Sequence, residues 1–348
     1  MMTISVAVLG LASFYGPAYA ERAANHPDCG VVAVFPGETS DEQRTALGRP
    51  TDESFTAEHD CRLYHDVDEL LDAERVDAVV VATRTRRRAD DACVSLRAGV
   101  PVLTAKPAAD SPQGADEIAV AAAAADLPAV TTSPARFDDA VATLGQRVHR
   151  GAIGDVVSVR AAIRHDRVPE AGIEANAEHA PREAGSSYAM GFYTADALVW
   201  LADDAPERLS GELSNVNTSH STHPDLGAAT VHFADGSVGE MSMTYATDCR
   251  DPLGNWEIEV VGTDGILRTT HQGYDGIHWH AGKADDRRAE VFGRVQSPIL
   301  DRQFDAFICA ARSDSRPDAV PPAPDTVADA LALCSAWEDA ANSGVVDL

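Results

Sequence analysis

From Ile4 to Pro128, short runs of Val, Ile and Ala alternate with stretches of helix formers, and no other feature restricts the possible folds as sharply. Ile4 to Leu9 is continuously β-prone and ends at Gly10, and helix formers follow from Pro17 to Asn25. Val31 to Phe35 reads as a second strand, Asp68 to Ala73 as a short helix, and Val76 to Ala82 as a Val/Ala strand of the kind buried on both faces of a parallel sheet. Ala89 to Ala98, stopped by Gly99, leads into a strand at Val100 to Leu103. Ser111 then caps a helix whose alanines run to Ala125. Strand alternating with helix in this way predicts a doubly wound parallel sheet.

The rhythm changes after Gly154. Val156 to Ile163, Thr230 to Phe233, Val238 to Thr244 and Trp256 to Val261 are β-prone, with hairpin signals at Ala234-Asp235-Gly236 and Thr263-Asp264-Gly265. A helix at Tyr193 to Leu201 interrupts them, and helices near Asp301 to Ala311 and Thr326 to Asn342 close the chain, joined by a proline-rich rigid connector at Arg316 to Pro324. A chain of 348 residues is long enough for two cores. The expected fold class is therefore α/β: a doubly wound domain over residues 1–134, then an α+β domain over residues 135–348 with a large, mostly antiparallel open sheet and closing helices within 301–342.

The formal net charge is −27, with 55 acidic residues spread along the chain rather than gathered in a tail. Such a field repels nucleic acid and anionic membranes, and no segment reaches the roughly 20 apolar residues that span a bilayer. Among the basic residues only Lys106 and Lys283 are lysines; the rest are arginine. A carboxylate-covered surface of this kind suits high ionic strength, which screens its self-repulsion, so a halophilic protein is expected. The six cysteines are scattered without metal-type spacing, which fits small core hydrophobes in a reducing, cytoplasmic compartment. Ala18-Tyr19-Ala20 has the small-x-small form of a secretory cleavage site, but no basic residue precedes the apolar run, and Ile4 to Leu9 reads as a strand instead. His220/His223 and His278/His280 are closely spaced pairs without a third ligand, so they are assigned to loop surface and no metal is expected.

Several segments, collinear over nearly the whole chain, resemble the glucose-fructose oxidoreductase/inositol dehydrogenase family. They are Asp77 to Thr83, Leu96 to Pro107 with its Ala105-Lys106-Pro107 signature, Arg136-Phe137, and Gly151 to Val156. Farther on come Gly191, Asp196, Trp200 and Leu201, then Phe304 to Ala311, Arg316-Pro317 and Leu331 to Ala340. The resemblance implies a Rossmann domain that binds NAD or NADP, and a substrate domain that forms homodimers or homotetramers. It also implies hydride transfer to or from a secondary alcohol of a sugar, sugar acid or cyclitol.

A dinucleotide needs a turn poor in side chains, so that backbone amides and the next helix N-terminus can approach the pyrophosphate. Gly10 is the first glycine of that turn, Ala12 stands at the second and Tyr15 at the third, with Gly16 one residue later. Ala12, Ser13 and Phe14 are expected to offer amides, and binding depends on whether the turn reshapes around Gly16. Pro36 replaces the acid expected at the end of the second strand, leaving Glu38 for the ribose hydroxyls. Thr83, Arg84 and Arg88 are expected at the cofactor, because the run Arg84, Arg86, Arg87 and Arg88 suggests an anionic ligand: a sugar acid, a sugar phosphate or the cofactor phosphates. The competing reading is a solvated helix N-terminus paired with Asp90 and Asp91.

The resemblance assigns substrate contact and proton transfer to Lys106, which an arginine could not replace because its pKa cannot be tuned. At the family's catalytic histidine stands Tyr193, a phenol able to act as acid or base beside a cation; at its aspartate stands Ala189, which can relay nothing. The glycine-rich lead-in is reduced to Glu183-Ala184-Gly185. His165 and Asp196 are further substrate candidates by position. Two alternatives stay open: a non-catalytic sugar-binding or assembly protein that has lost the dinucleotide, and a hydrolase that uses a tightly held cofactor transiently.

Overall fold

The computed structural model describes residues 3–166, 186–202, 204–216, 224–247, 255–271, 275–281, 286–292, 298–312 and 324–348. The connector, the His220/His223 pair and the Glu183-Ala184-Gly185 lead-in fall outside these, apart from Pro324. Two compact units emerge, one built from residues up to Thr132 together with Leu300–Ala328, the other mainly from Ser133 to Ile299 and from Asp329 to the end.

The first unit holds a six-stranded, all-parallel sheet in the order β3-β2-β1-β4-β5-β6. Its strands are β1 (Ile4–Leu9), β2 (Cys29–Phe35), β3 (Arg62–Leu63), β4 (Ala78–Val81), β5 (Val102–Thr104) and β6 (Ala129–Thr131). Every residue of β4 is fully buried, as its all-Val/Ala composition predicts for a central strand covered on both faces. The crossovers are α1 (Tyr15–Asn25), α2 (Asp41–Ala46), α3 (Asp52–His59), α4 (Val67–Ala73), α5 (Thr85–Arg97) and α6 (Pro112–Ala125). The sequence pattern misses α2 and α3, which are too short to show an apolar period; Ser40 and Thr51 start them with capping boxes instead. Register aligns Leu9 with Phe35 and with Val81, and Val81 with Thr104. One edge of the sheet therefore gathers everything that follows these four strands. The chain winds outward on both sides of β1 and β4, and that reversal is where open α/β sheets bind ligands.

A helix from the far end of the sequence, Pro298–Ala311, also packs in this unit from Leu300 on. Phe304 stacks on Tyr19 with ring centres 6.2 Å apart, and Arg22 pairs with Asp301 at 2.9 Å. Burial pushes the Tyr19 phenol up and keeps it protonated, and its hydroxyl donates to Gln303 Oε1 at 2.8 Å. Gln303 in turn donates to the Thr131 carbonyl at the end of β6 at 3.1 Å.

The second unit is an α+β domain on a nine-stranded sheet, β14-β13-β12-β11-β7-β10-β9-β8-β15. Its strands are β7 (Val156–Asp166), β8 (Pro206–Ser214), β9 (Leu226–Phe233), β10 (Val238–Thr247), β11 (Asn255–Gly262), β12 (Gly265–His271), β13 (Asp275–Ala281), β14 (Asp286–Phe292) and β15 (Val345–Asp347). Only the β7–β10 pair is parallel; the other pairings are antiparallel. Both expected hairpins form, β9–β10 around Gly236 at φ +89° and β11–β12 before Gly265. The Gly191–Ala202 helix lies on β7 and β10, and α7 (Asp139–His149) meets it where Gly145 leaves room for the Trp200 ring. Trp337 of the Pro324–Ser343 helix sits over Gly211 and Gly227, where a Cβ would come within 3.0 and 2.7 Å of its ring.

Candidate cofactor and catalytic site

The turn after β1 resolves the question left by Tyr15. The helix α1 begins at Tyr15, whose ring turns inward, 8% exposed, and stacks on Tyr19. Gly16 takes the close approach instead: a Cβ there would stand 2.0 Å from the Gly10 carbonyl oxygen. Gly10 is just as constrained, with φ +100° and a would-be Cβ 2.4 Å from the backbone of Ala82 and Thr83. Two glycines thus let β1, β4 and the start of α1 touch backbone to backbone. The amides of Gly10 and Leu11 bond to Phe35 and Pro36 at 2.7 and 3.1 Å, whereas among the described residues those of Ala12, Ser13 and Phe14 enter no backbone bond. The Ser13 hydroxyl accepts from the Tyr15 amide at 3.3 Å, and Phe14 stands 52% exposed. Open amides at the N-terminus of an 11-residue helix, brought close to the sheet by two glycines at which any Cβ would strike backbone, fit a pyrophosphate.

The arginine run divides by burial. The helix α5 starts at Thr85, earlier than the sequence pattern indicates, and this draws the run into its first turn. Arg86 is exposed and pairs with Glu38, and Arg87 lies over the Phe35 ring at 4.8 Å while pairing with Asp91 at 2.7 Å. The Arg86 guanidinium holds the Glu38 carboxyl below the usual carboxylate range. Arg84 is buried and donates to the Thr39 hydroxyl at 3.3 Å. Arg88, 1% exposed, donates to the Thr83 carbonyl at 3.0 and 2.6 Å, to the Ala105 carbonyl at 3.3 Å and to the Pro107 carbonyl. It thereby ties the end of β4 to the end of β5. The Thr83 hydroxyl donates to Asp91 at 2.6 Å. Lys106, two residues past β5 and joined to Pro107 by a cis peptide bond, shares this edge with the glycine turn.

The stretch after β2 holds a residue the sequence pattern did not single out. Arg44, 1% exposed, donates to the carbonyls of Thr39 at 2.6 Å and Pro50 at 3.1 Å and pairs with Asp41 and Asp52, closing residues 39–50 on themselves. Arg49, whose amide bonds the Arg44 carbonyl at 2.8 Å, places its guanidinium 5.7 Å from the centre of the Phe14 ring. Its buried Nε has no hydrogen-bond partner and no described carboxylate pairs with it, while burial pulls its pKa down. An isolated arginine in a loop carries no spacing signal, so only the fold reveals it.

In the second unit, Tyr193 is partly exposed on the first turn of the Gly191–Ala202 helix, its ring edge-on to Phe192 at 6.5 Å. Ala189 is buried. Asp196, expected at the substrate, is 1% exposed and accepts from Arg136 at 3.0 and 2.6 Å and from Ser133 at 2.6 Å; Arg136 also covers the Trp200 ring at 4.8 Å. Both of its oxygens are engaged within the protein. His165 lies on β7, and its side chain falls outside the described residues, as do those of His278 and His280 on β13.

Comparison with known proteins accounts for this architecture. Residues 4–132 match the model described as an oxidoreductase family with an NAD-binding Rossmann fold, and residues 141–268 match the GFO/IDH/MocA C-terminal domain. The chain belongs to this oxidoreductase family. No curated protein matches it in sequence. Among solved structures it is similar to an oxidoreductase from Agrobacterium radiobacter in complex with NAD+, L-tartaric acid and magnesium, with 19% identity, 99% and 98% of the two chains covered and a TM-score of 0.78. It is also similar to the aldose-aldose oxidoreductase from Caulobacter crescentus complexed with glycerol (18% identity, 99% and 100% covered, TM-score 0.76) and to GenD2 from gentamicin A biosynthesis in complex with NAD (19%, 100% and 97%, 0.75). At these identities the likeness is one of fold. The first domain of this family member is thus an NAD-binding Rossmann domain. No described helix is long and apolar enough to cross a membrane.

Proposed function

We propose that this chain is an NAD(P)-dependent oxidoreductase acting on a secondary alcohol of a polyhydroxylated substrate, a sugar, sugar acid or cyclitol. The observation that carries the reading is the Gly10–Gly16 approach, which keeps the amides of Ala12, Ser13 and Phe14 open on the same sheet edge as Lys106. The nicotinamide ring supplies the hydride acceptor or donor when bound. Lys106 would donate to the reacting hydroxyl, because a lysine amine both binds oxygen and exchanges a proton. Tyr193 would take up or return that proton. Arg88 acts through others, fixing the carbonyls on either side of Lys106 and thereby the direction in which the lysine leaves the sheet. The dicarboxylic acid and the polyol in the solved relatives are of the substrate class proposed. Homodimers or homotetramers and a cytoplasmic site of action belong to the same proposal. A non-catalytic, sugar-binding relative draws support from Ala189, which puts a methyl group where the family has an acid.

Calorimetric titration with NAD(H) and NADP(H), together with turnover of Lys106→Arg and Tyr193→Phe, tests the reading. Micromolar binding and a loss of turnover by roughly a hundredfold in each variant are expected. No binding at millimolar dinucleotide would replace the reading with the non-catalytic one. Unchanged kinetics in either variant would remove that residue from the site.

A further inference from the structure

We infer that the preferred dinucleotide carries a phosphate on the 2′-oxygen of its adenosine ribose, NADP(H) rather than NAD(H), and that Arg49 and Arg86 receive that phosphate. The inference rests on the cofactor reading above and adds to it the identity of the ligand.

Three observations converge. A carboxylate at the end of β2 accepts the two ribose hydroxyls and repels a phosphate placed there. In this chain Pro36 occupies that position and offers neither acceptor nor charge. The nearest carboxylate, Glu38, is held by Arg86 and faces Arg87 at 3.7 Å, so its charge is offset before any ligand arrives. Arg49 is the third observation. The loop closed by Arg44 brings it back from residue 49 to the Phe14 ring, between the end of β2 and the start of α1. In a chain with 55 acidic residues, this guanidinium has no described carboxylate partner, while Arg22, Arg44, Arg62, Arg87 and Arg136 all have one. A phosphomonoester dianion is the ligand such a pair would meet. Arg49 is already uncommitted, and Arg86, 54% exposed, can turn from Glu38 to the phosphate while Arg87 stays with the carboxylate.

The test is calorimetry on the full chain at fixed KCl with NADPH and NADH, and with adenosine 2′,5′-bisphosphate and AMP, which lack the nicotinamide half. The variants are Arg49→Met, which keeps an apolar stem on Phe14, and Arg86→Met. The native protein should bind each 2′-phosphorylated probe roughly tenfold or more tightly than its partner. Either variant should erase most of that ratio, leaving NADH affinity within roughly twofold and the melting temperature unchanged. Equal or tighter binding of NADH by the native protein would overturn the inference and leave the cofactor reading intact. Equal loss of both dinucleotides in Arg49→Met would also overturn it, by placing Arg49 on the shared pyrophosphate. Failure of all four probes to bind would remove the cofactor reading, and the inference with it.

Discussion

Replacing Gly16 by alanine sets two effects of opposite sign against each other. Glycine inside a helix costs about 1 kcal/mol relative to alanine, so propensity alone predicts a more stable protein. The structure predicts the reverse. The added Cβ would stand 2.0 Å from the Gly10 carbonyl oxygen and 3.3 Å from the Ala82 Cβ. The first of these is a backbone atom in a turn whose own amide is bonded to Phe35, so it cannot rotate away. Overpacking of well-packed interiors costs about 1–3 kcal/mol, and a backbone clash belongs at the upper end of that range. The net effect is a loss of ~2 kcal/mol, or roughly 2–4 °C in melting temperature for a chain of this size. Relief of the clash must also push the start of α1 off the sheet, which moves the amides of Ala12, Ser13 and Phe14 and weakens dinucleotide binding. Thermal unfolding at constant KCl, paired with calorimetry, reads both effects. A melting temperature equal to or above that of the native protein would show that α1 does not rest on Gly10, and the reshaped turn would have to be abandoned.

Four further outcomes are expected. Arg88→Gln should lower turnover by roughly a hundredfold and dinucleotide affinity by much less, since it releases the carbonyls on both sides of Lys106 but reaches the glycine turn only through Thr83; a matching loss of affinity and turnover would show a purely structural role. Asp196→Asn strands Arg136 in a buried site and should cost about 3–5 kcal/mol with KM unchanged, whereas a native melting point with a raised KM would put Asp196 on the substrate. The melting temperature should climb as KCl rises from about 0.1 M to about 1 M, over which the screening length shrinks from about 10 to 3 Å, and a flat or falling response would remove the halophilic reading. Burial raises the Glu257 carboxyl, but Arg164 and Arg268, each 3.2 Å away, outweigh it and hold the folded group below its ordinary range. Its contribution is therefore complete above the unfolded value of about 4.3 and lost as pH falls through the folded one. Glu257→Gln should lower the melting point at neutral pH and make no difference in strong acid; a deficit independent of pH would mean that packing, not charge, is at work.

What could be read from the sequence is what depends on neighbours along the chain. The Val/Ala run of β4 announces a strand buried on both faces, Gly10 announces a turn at the end of β1, and Lys106 stands out because arginine has displaced nearly every other lysine. The change of rhythm after Gly154 likewise marks the second sheet, although β8 and β13 to β15 escape notice. Their apolar residues are few, and β15 owes its pairing to β8, a strand far back in the sequence.

Charge and spacing alone did not decide how the functional residues are used. The four arginines from 84 to 88 look equivalent as a string, yet the pitch of α5 buries Arg88 against three carbonyls and leaves Arg86 in solvent. Asp196 has the family's spacing for a pocket residue and becomes the buried partner of Arg136, because Ser133 and Arg136 lie directly beneath it in the second unit. Tyr15 and Gly16 are adjacent letters, and a rotation of one residue in where α1 begins determines which of them faces Gly10. The Pro298–Ala311 helix shows an amphipathic pattern, but nothing local names Tyr19 and Thr131 as what it covers. Periodicity fixes which face of an element is apolar, since that follows from geometry repeated every few residues. The identity of the surface that covers the face, and whether a charge on it meets solvent, ligand or counter-ion, is settled only when segments hundreds of residues apart are packed together.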